Sequence, residues 1–484
     1  MNYKNYINGK WQNSLSGKTI TVENPYTQEI IAEVPDSDEK DVMLAVSAAK
    51  EAFDKWKNFT PSERKDLLKN VAEISRENSD ALAKTITLEM GKPFKEAKDE
   101  IETVAEFLDY YSELARDEIG KIVSPNENNT MSLVKYEAVG PIGCIVPWNY
   151  PLALMGWKLA PALAAGNTVI MKPSEITPLS MLHWCSVIDS VLPPGVINVI
   201  TGYGESAGGP IVEHPDVPVI TFTGSVDTGK TIAKIASKNL KRVSLELGGK
   251  DPMIICDDAD IEIAAKGTAW GAFKNSGQIC TSIERVYVYD NIYEKFTEAI
   301  IEEAKSVVIG DPLDPKINIG PMVSKRQRDA ALKIVKESKE EGARLLTGGG
   351  IPEKFEKGYF FEPTVFDSVN SKMSIMTQET FCPIIPIQRV SNLKEAIKYS
   401  NNSIYGLACS IYTKDIDRAL TAADEIQSGT VCINSPLSEN IAAPFGGMKH
   451  SGIGREHGKE ALDEFREIKH VYIDYKQETK SWWF

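Results

Sequence analysis

Between residues 142 and 246, short β-rich runs and helical stretches take turns along the chain, and few folds admit that order. The runs are "IGCIVPW", "TVIMKP", "VINVIT", "VPVITFTG" and "RVSLEL", with helical stretches over 152–165, 177–191 and 226–237 between them. Such alternation predicts an α/β fold with a doubly wound parallel sheet, whose ligands sit at the carboxyl ends of the strands. A second alternating region follows Cys280, through "RVYVY" and a helix over 291–306 to about 434. Upstream, 42–56 has apolar residues at helical spacing behind Asp38 and Glu39, acids that suit a helix N-terminus. Two further amphipathic helices fit 61–90 and 94–116, around the breaker Gly91-Lys92-Pro93. Asn8-Gly9 predicts a tight hairpin turn, and 121–139 a longer hairpin around a Pro-Asn-rich turn.

Composition narrows the function. A length of 484 residues suits two or three domains, and a net charge of −14 opposes nucleic acid or an anionic membrane as partner. The most apolar stretch, 151–171, is interrupted by Lys158, Pro161 and Asn167, which argues against a membrane span. Seven scattered cysteines without a CxxC, and five histidines without an HExxH, predict neither a disulfide framework nor a metal site. With no apolar h-region in "MNYKNYINGKW", the expected compartment is the cytoplasm.

The strand ends carry polar punctuation that folding does not require. Asn149 follows the first strand in "PWNYP", and Lys172 and Glu175 follow the second in "MKPSE". In "FTGS", Gly224 and Ser225 open a helix, where backbone N–H groups can hold a phosphate. Glu246 closes the run in "LELGGK". Gly202, Gly204 and Gly208 form an imperfect dinucleotide fingerprint, one residue too long. The same stretch, Gly204-Glu205-Ser206-Ala207-Gly208, also matches the G-x-S-x-G elbow of serine hydrolases. That rival reading lacks an HGG-type loop, and its histidine has to be His450, His457 or His470.

"LELGGK", followed 34 residues after its first glutamate by the cysteine of "FKNSGQIC", resembles the NAD(P)-dependent aldehyde dehydrogenase superfamily. So do "PWNYP", "KPSE", "FTGS", "QETFCP" and "PFGGMKHSGIGRE", in the family's order from about 20 to 475. The resemblance implies oxidation of an aldehyde to an acid. Cys280 would be the nucleophile, the Asn149 side chain and the Cys280 N–H the oxyanion donors, and Glu246 the base that activates water.

It also implies a cofactor site, with NAD favoured and NADP as the alternative. Lys172 and Glu175 match positions on the adenosine ribose, Glu379 one on the nicotinamide ribose. Pro147, Trp148, Ser174 and Phe381 line the same site, as do Gly204, Gly208, Phe222, Gly224, Ser225, Leu247 and Gly248. A carboxylate at Glu175 favours a free 2′-hydroxyl. Two departures stand out: Cys382, where the family has glycine, and Asp251, where a neutral residue is usual.

For the substrate pocket the matching positions are Tyr150, Met155, Trp157, Lys274, Ile279, Thr281 and Phe445, a largely apolar funnel. Relatives acting on succinic semialdehyde have arginines where this chain has Lys274 and Trp157. The expected substrate is therefore a small or medium neutral or hydroxylated aldehyde, of the lactaldehyde or glyceraldehyde type. Succinic semialdehyde and betaine-type aldehydes are the alternatives. The family's architecture implies a discontinuous Rossmann-like cofactor domain over 1–118 and 140–247, and a second α/β catalytic domain over 248–446. The β-hairpin 121–139 and the C-terminal strand within 470–484 would form an arm joining a homodimer or homotetramer.

Overall fold

A computed structural model describes residues 3–116, 120–476, 478–480 and 482–484. The expected boundary at 118 lies outside the described residues, as do 1, 2, 477 and 481. No helix among the described residues is long and apolar enough to cross a membrane.

Eight strands form the first sheet, in the order Gly452–Ile453, Arg242–Glu246, Val219–Thr223, Pro141–Ile145, Thr168–Lys172, Ile197–Val199, Asn5–Ile7, Lys10–Gln12. The five strands from Arg242–Glu246 to Ile197–Val199 run parallel. The three between Val219 and Lys172 in that order are buried at every position, which explains why they read as apolar runs without alternation. At the sheet's edge, Asn8 (φ 52°) and Gly9 (φ 70°) turn the first hairpin through left-handed backbone.

Three helices fill 61–116 where two were expected: Pro61–Glu77, Ser79–Met90 and Phe94–Leu114. The extra break falls at Asn78 (φ −101°, ψ 12°), whose side-chain amide donates to the Ile74 carbonyl at 2.8 Å. An asparagine that satisfies a carbonyl of the last turn competes with continuing the helix.

The second sheet has the order Arg344–Thr347, Thr364–Asp367, Ile384–Val390, Ile283–Tyr289, Asp251–Ile255, Ala408–Tyr412, Thr430–Ile433. It begins at Asp251, ahead of Cys280 and not after it. The buried run "DPMII" pairs in parallel with Ile283–Tyr289 and, through the helix Ile261–Phe273, crosses over to it. In a third sheet the hairpin Gly120–Val123/Thr130–Ala138 pairs with Arg466–Asp474, so the expected arm and the C-terminal strand meet within one chain.

Candidate active site

The helix Ile261–Phe273 ends at Lys274, and the next three residues adopt left-handed backbone: Asn275 (φ 51°), Ser276 (φ 56°) and Gly277 (φ 72°). Two non-glycine residues there cost about 1 kcal/mol each, so the surroundings must hold the loop. Asn275 donates from Nδ2 to the carbonyls of Asn149 and Gln278, both at 3.2 Å. Gln278 donates to the Asn275 carbonyl at 3.0 Å and accepts from the Val323 N–H at 2.9 Å. Ser276 Oγ donates to the Gly320 carbonyl at 2.9 Å. Gly277 cannot be replaced, since a Cβ would fall 2.3 Å from the Cys382 carbonyl carbon. This strained loop, pinned by those hydrogen bonds although Asn275 Oδ1 has no partner, presents Cys280, half-buried, just ahead of Ile283–Tyr289.

Asn149 lies beyond the end of Pro141–Ile145 and donates from Nδ2 to the Gln278 carbonyl at 3.1 Å, while its buried Oδ1 has no partner. Glu246 ends its strand 2% exposed, with both carboxylate oxygens lacking hydrogen-bond partners. Burial, and then the Glu456 carboxylate, push its pKa from 4.5 to about 8, against the pull of Lys158. Burial and the neighbouring Glu246 likewise push the Cys280 thiol well above its usual range. A charged Glu246 therefore keeps the proton on the Cys280 thiol. Behind Glu246, Lys158 donates to Thr223 Oγ1 at 2.6 Å and pairs with Glu456.

Two clefts meet at Cys280 and Asn149. The first has a cavity volume of about 190 Å³ between the two large sheets' rims and is lined by Pro147, Trp148, Gly224, Ser225, Glu246, Leu247, Gly248, Glu379 and Phe381. Thr223 and Gln327 also line it, and neither was singled out from the sequence. Ser225 caps the helix Val226–Ala236, accepting from the Thr228 N–H at 3.3 Å, and Phe222 is buried beneath Gly224. A Cβ on Gly248 would meet Glu379 Oε2 at 2.3 Å, so that glycine leaves room for the carboxylate. Glu379 accepts from the Gly249 N–H at 3.2 Å, and burial raises its pKa to about 8.

Further along the rim, Lys172 is buried, donates to the Pro173 carbonyl at 2.9 Å and lies 4.0 Å from Glu175. Ser174 accepts from the Ile176 N–H at 3.3 Å. Gly208 lies against Lys172, 3.5 Å from its Cδ to where a Cβ would stand, while around Gly204 the space is open. Ser206 donates to Asp36 at 3.3 Å, and the His457 ring packs 4.2 Å from Trp157 and 4.8 Å from Phe107, so His457 is engaged with aromatic rings.

The second cleft has a cavity volume of about 140 Å³ and is lined by Tyr150, Trp157, Lys274, Ile279 and Thr281. Met155 is fully buried in the core, and Phe445 packs against Trp157 at 5.2 Å without reaching this cleft. Most of the exposed lining is apolar, as expected, but carboxylates break it. Glu96, Asp99, Glu100 and Glu439 share it. A sequence pattern could not reveal them, because Glu439 joins a helix more than 300 residues earlier only through the tertiary fold.

Of the two departures, Cys382 has a structural account and Asp251 has none. Cys382 is buried and keeps a negative φ, so no glycine is needed there; the left-handed residue is its neighbour Phe381 (φ 51°), packed edge-on against Trp148 at 5.3 Å. Asp251 is buried against Gly249 with Oδ2 unpartnered, and burial raises its pKa well above the carboxylate range. Glu284, unnoticed in the sequence, holds the Glu379 loop: it accepts from the N–H groups of Thr380 and Phe381, both at 2.8 Å, and from Lys250 at 2.8 Å.

The family model described as "Aldehyde dehydrogenase family" matches residues 11–471. Among curated proteins, retinaldehyde dehydrogenase 3 of Mus musculus is 41% identical over 482 residues, 98% of this chain and 94% of that protein. Cytosolic aldehyde dehydrogenase 1 of the same organism is 40% identical, covering 98% of this chain and 96% of its own length. A crystal structure of betaine aldehyde dehydrogenase from Staphylococcus aureus, in complex with NAD+, superposes with a TM-score of 0.98 at 36% identity. It covers 100% of this chain and 97% of that one.

Proposed function

The chain belongs to the aldehyde dehydrogenase family, and we propose that it oxidises an aldehyde to the carboxylic acid with NAD, through a thiohemiacetal and then a thioester on Cys280. One observation carries the reading: two clefts converge on Cys280 and Asn149, and a buried, unpartnered Glu246 lines the first of them. The aldehyde enters by the second cleft. The Cys280 thiol gives its proton to water in the clefts, its sulfur bonds to the carbonyl carbon, and the oxygen that gains charge is stabilised by Asn149 Nδ2 and the Cys280 N–H. Bound in the first cleft, NAD supplies the hydride acceptor. Glu246 then takes a proton from the water that attacks the thioester, and Lys158 and Glu456 lie behind it to compensate the charge.

The first cleft suits such a cofactor. Glycines 224 and 248 keep its walls low, the capped helix Val226–Ala236 offers its N-terminus, and Lys172 and Glu175 stand together at the rim. A carboxylate beside the ribose repels a 2′-phosphate. Glu175→Ala should therefore raise the NADP to NAD ratio of kcat/KM by about tenfold, the loss of one facing charge. An unchanged ratio would remove Glu175 from the ribose.

Glu96, Asp99 and Glu439 outnumber Lys274 in this lining, which opposes a negatively charged substrate tail. A small neutral or hydroxylated aldehyde meets that condition, as does a betaine-type aldehyde; succinic semialdehyde does not. We place the enzyme in the cytoplasm as a homo-oligomer joined through the arm, in keeping with seven free cysteines. NADH formation with propanal, lactaldehyde, glyceraldehyde, benzaldehyde and succinic semialdehyde tests the reaction. Ser206→Ala should turn over like the unaltered protein; loss of activity in that variant, with NAD-independent ester cleavage in its parent, would support a hydrolase instead.

A further inference from the structure

The reaction uses Cys280, Asn149 and Glu246 and leaves the carboxylates of the second cleft without a task. Glu96, Asp99 and Glu100 project from the helix Phe94–Leu114, and Glu439 from the segment after Thr430–Ile433. Glu100 is already matched: Lys92 donates to it at 2.5 Å, and the N–H groups of Leu152 and Ala153 at 2.7 and 3.0 Å. Glu96 is not. It is 8% exposed, lines the cleft, and its buried Oε2 has no hydrogen-bond partner. A buried carboxylate oxygen left without a donor costs free energy that a ligand's donor can recover. The remaining cation in the lining, Lys274, lies 4.8 Å from the Trp270 ring and faces three carboxylates: Glu96, Asp99 and Glu439.

We infer that the substrate is an aliphatic aldehyde whose far end is a protonated amine, which donates to Glu96 and is surrounded by Asp99 and Glu439. This rests on the reading of Cys280 as the nucleophile at the cleft's inner end. An N–H donor fits better than a quaternary ammonium, which is held by open aromatic faces. Lys92 Nζ already covers the Tyr150 ring at 3.5 Å, and Trp157 is packed by Phe107, Phe445 and His457 at 5.9, 5.2 and 4.2 Å. The unpartnered oxygen, moreover, calls for a hydrogen.

The test compares 3-aminopropanal with butanal, which replaces the ammonium by a methyl group of similar size. The ratio of their kcat/KM values should favour the amine by at least about tenfold, since a site with an unmatched acceptor rejects the analogue lacking the donor. Glu96→Gln should cut the ratio by about tenfold, mainly through KM, and Asp99→Asn, on the exposed side, by less. Raising the salt concentration should raise KM for the amine more than for butanal. A ratio near one, or a ratio unchanged in both variants and by salt, overturns the inference. So does a betaine aldehyde preference over 3,3-dimethylbutanal that exceeds the amine's preference over butanal, because the pocket would then read charge alone. Butanal separates the two levels of argument: its NAD-dependent oxidation by the unaltered enzyme keeps the Cys280 reading standing when the amine preference fails, and no oxidation of any aldehyde sinks both.

Discussion

Cys280→Ala abolishes aldehyde oxidation, lowering kcat/KM by at least about 1,000-fold, because no other group where the two clefts meet can hold the substrate covalently. NAD affinity, measured by titration of protein fluorescence, stays within about threefold, since one sulfur atom contributes little to a cofactor's contact surface. The fold also survives. The loop that presents the cysteine is held by Asn275, Gln278 and Ser276, none of whose hydrogen bonds involves the thiol. A circular dichroism melting curve close to that of the parent checks this. If NAD affinity fell as far as turnover, the cysteine would be a structural element of the first cleft, and the chemistry would have to be sought elsewhere.

What could be read from the sequence was local. Lys172 and Glu246 end their strands, and Asn149, Glu175 and Gly224 come shortly after theirs, so strand periodicity and polar punctuation place them on one rim without knowledge of packing. The aldehyde dehydrogenase blocks added the order in which they act. What escaped depends on contacts between distant segments. Lys158 showed only as a charge interrupting an apolar stretch, and its partner Glu456 lies 298 residues away. Glu284 sits in a strand buried on both faces, and the N–H groups it accepts from lie 96 and 97 residues on. The acidic second cleft was missed for the same reason: family positions nominated Met155 and Phe445, whose types fit a funnel wall, but burial and the Trp157 contact take them out of it. Asn78 shows the converse, a local signal overlooked. An Asn between two amphipathic stretches can end one helix by itself.

Glu246→Gln separates the two halves of the reaction. Sulfur addition and hydride loss need no base at this position once the thiol has been deprotonated, so the variant should release a burst of about one NADH per active subunit. The thioester then waits for a water that nothing activates, and steady turnover falls by about 100-fold or more, the usual contribution of a general base. Loss of burst and turnover together would place Glu246 at thiol deprotonation, the other proton it could accept. In the unaltered enzyme the base works as a carboxylate whose pKa stands at about 8, so deacylation should rise with pH through that value. In the variant this limb should be missing. The same shift has a thermodynamic sign. Folded Glu246 holds its proton from 4.5 up to about 8, a window in which the unfolded chain has lost it. The folded state then binds the extra proton, so raising the pH across that window costs the parent protein stability, and Gln, which cannot ionise, is spared. The melting temperature of Glu246→Gln relative to its parent should therefore climb between about pH 5 and pH 8 and level off above. A difference that stays flat with pH would mean that the carboxylate is solvated in the folded protein, and that burial is not what prepares it to act as a base near neutrality.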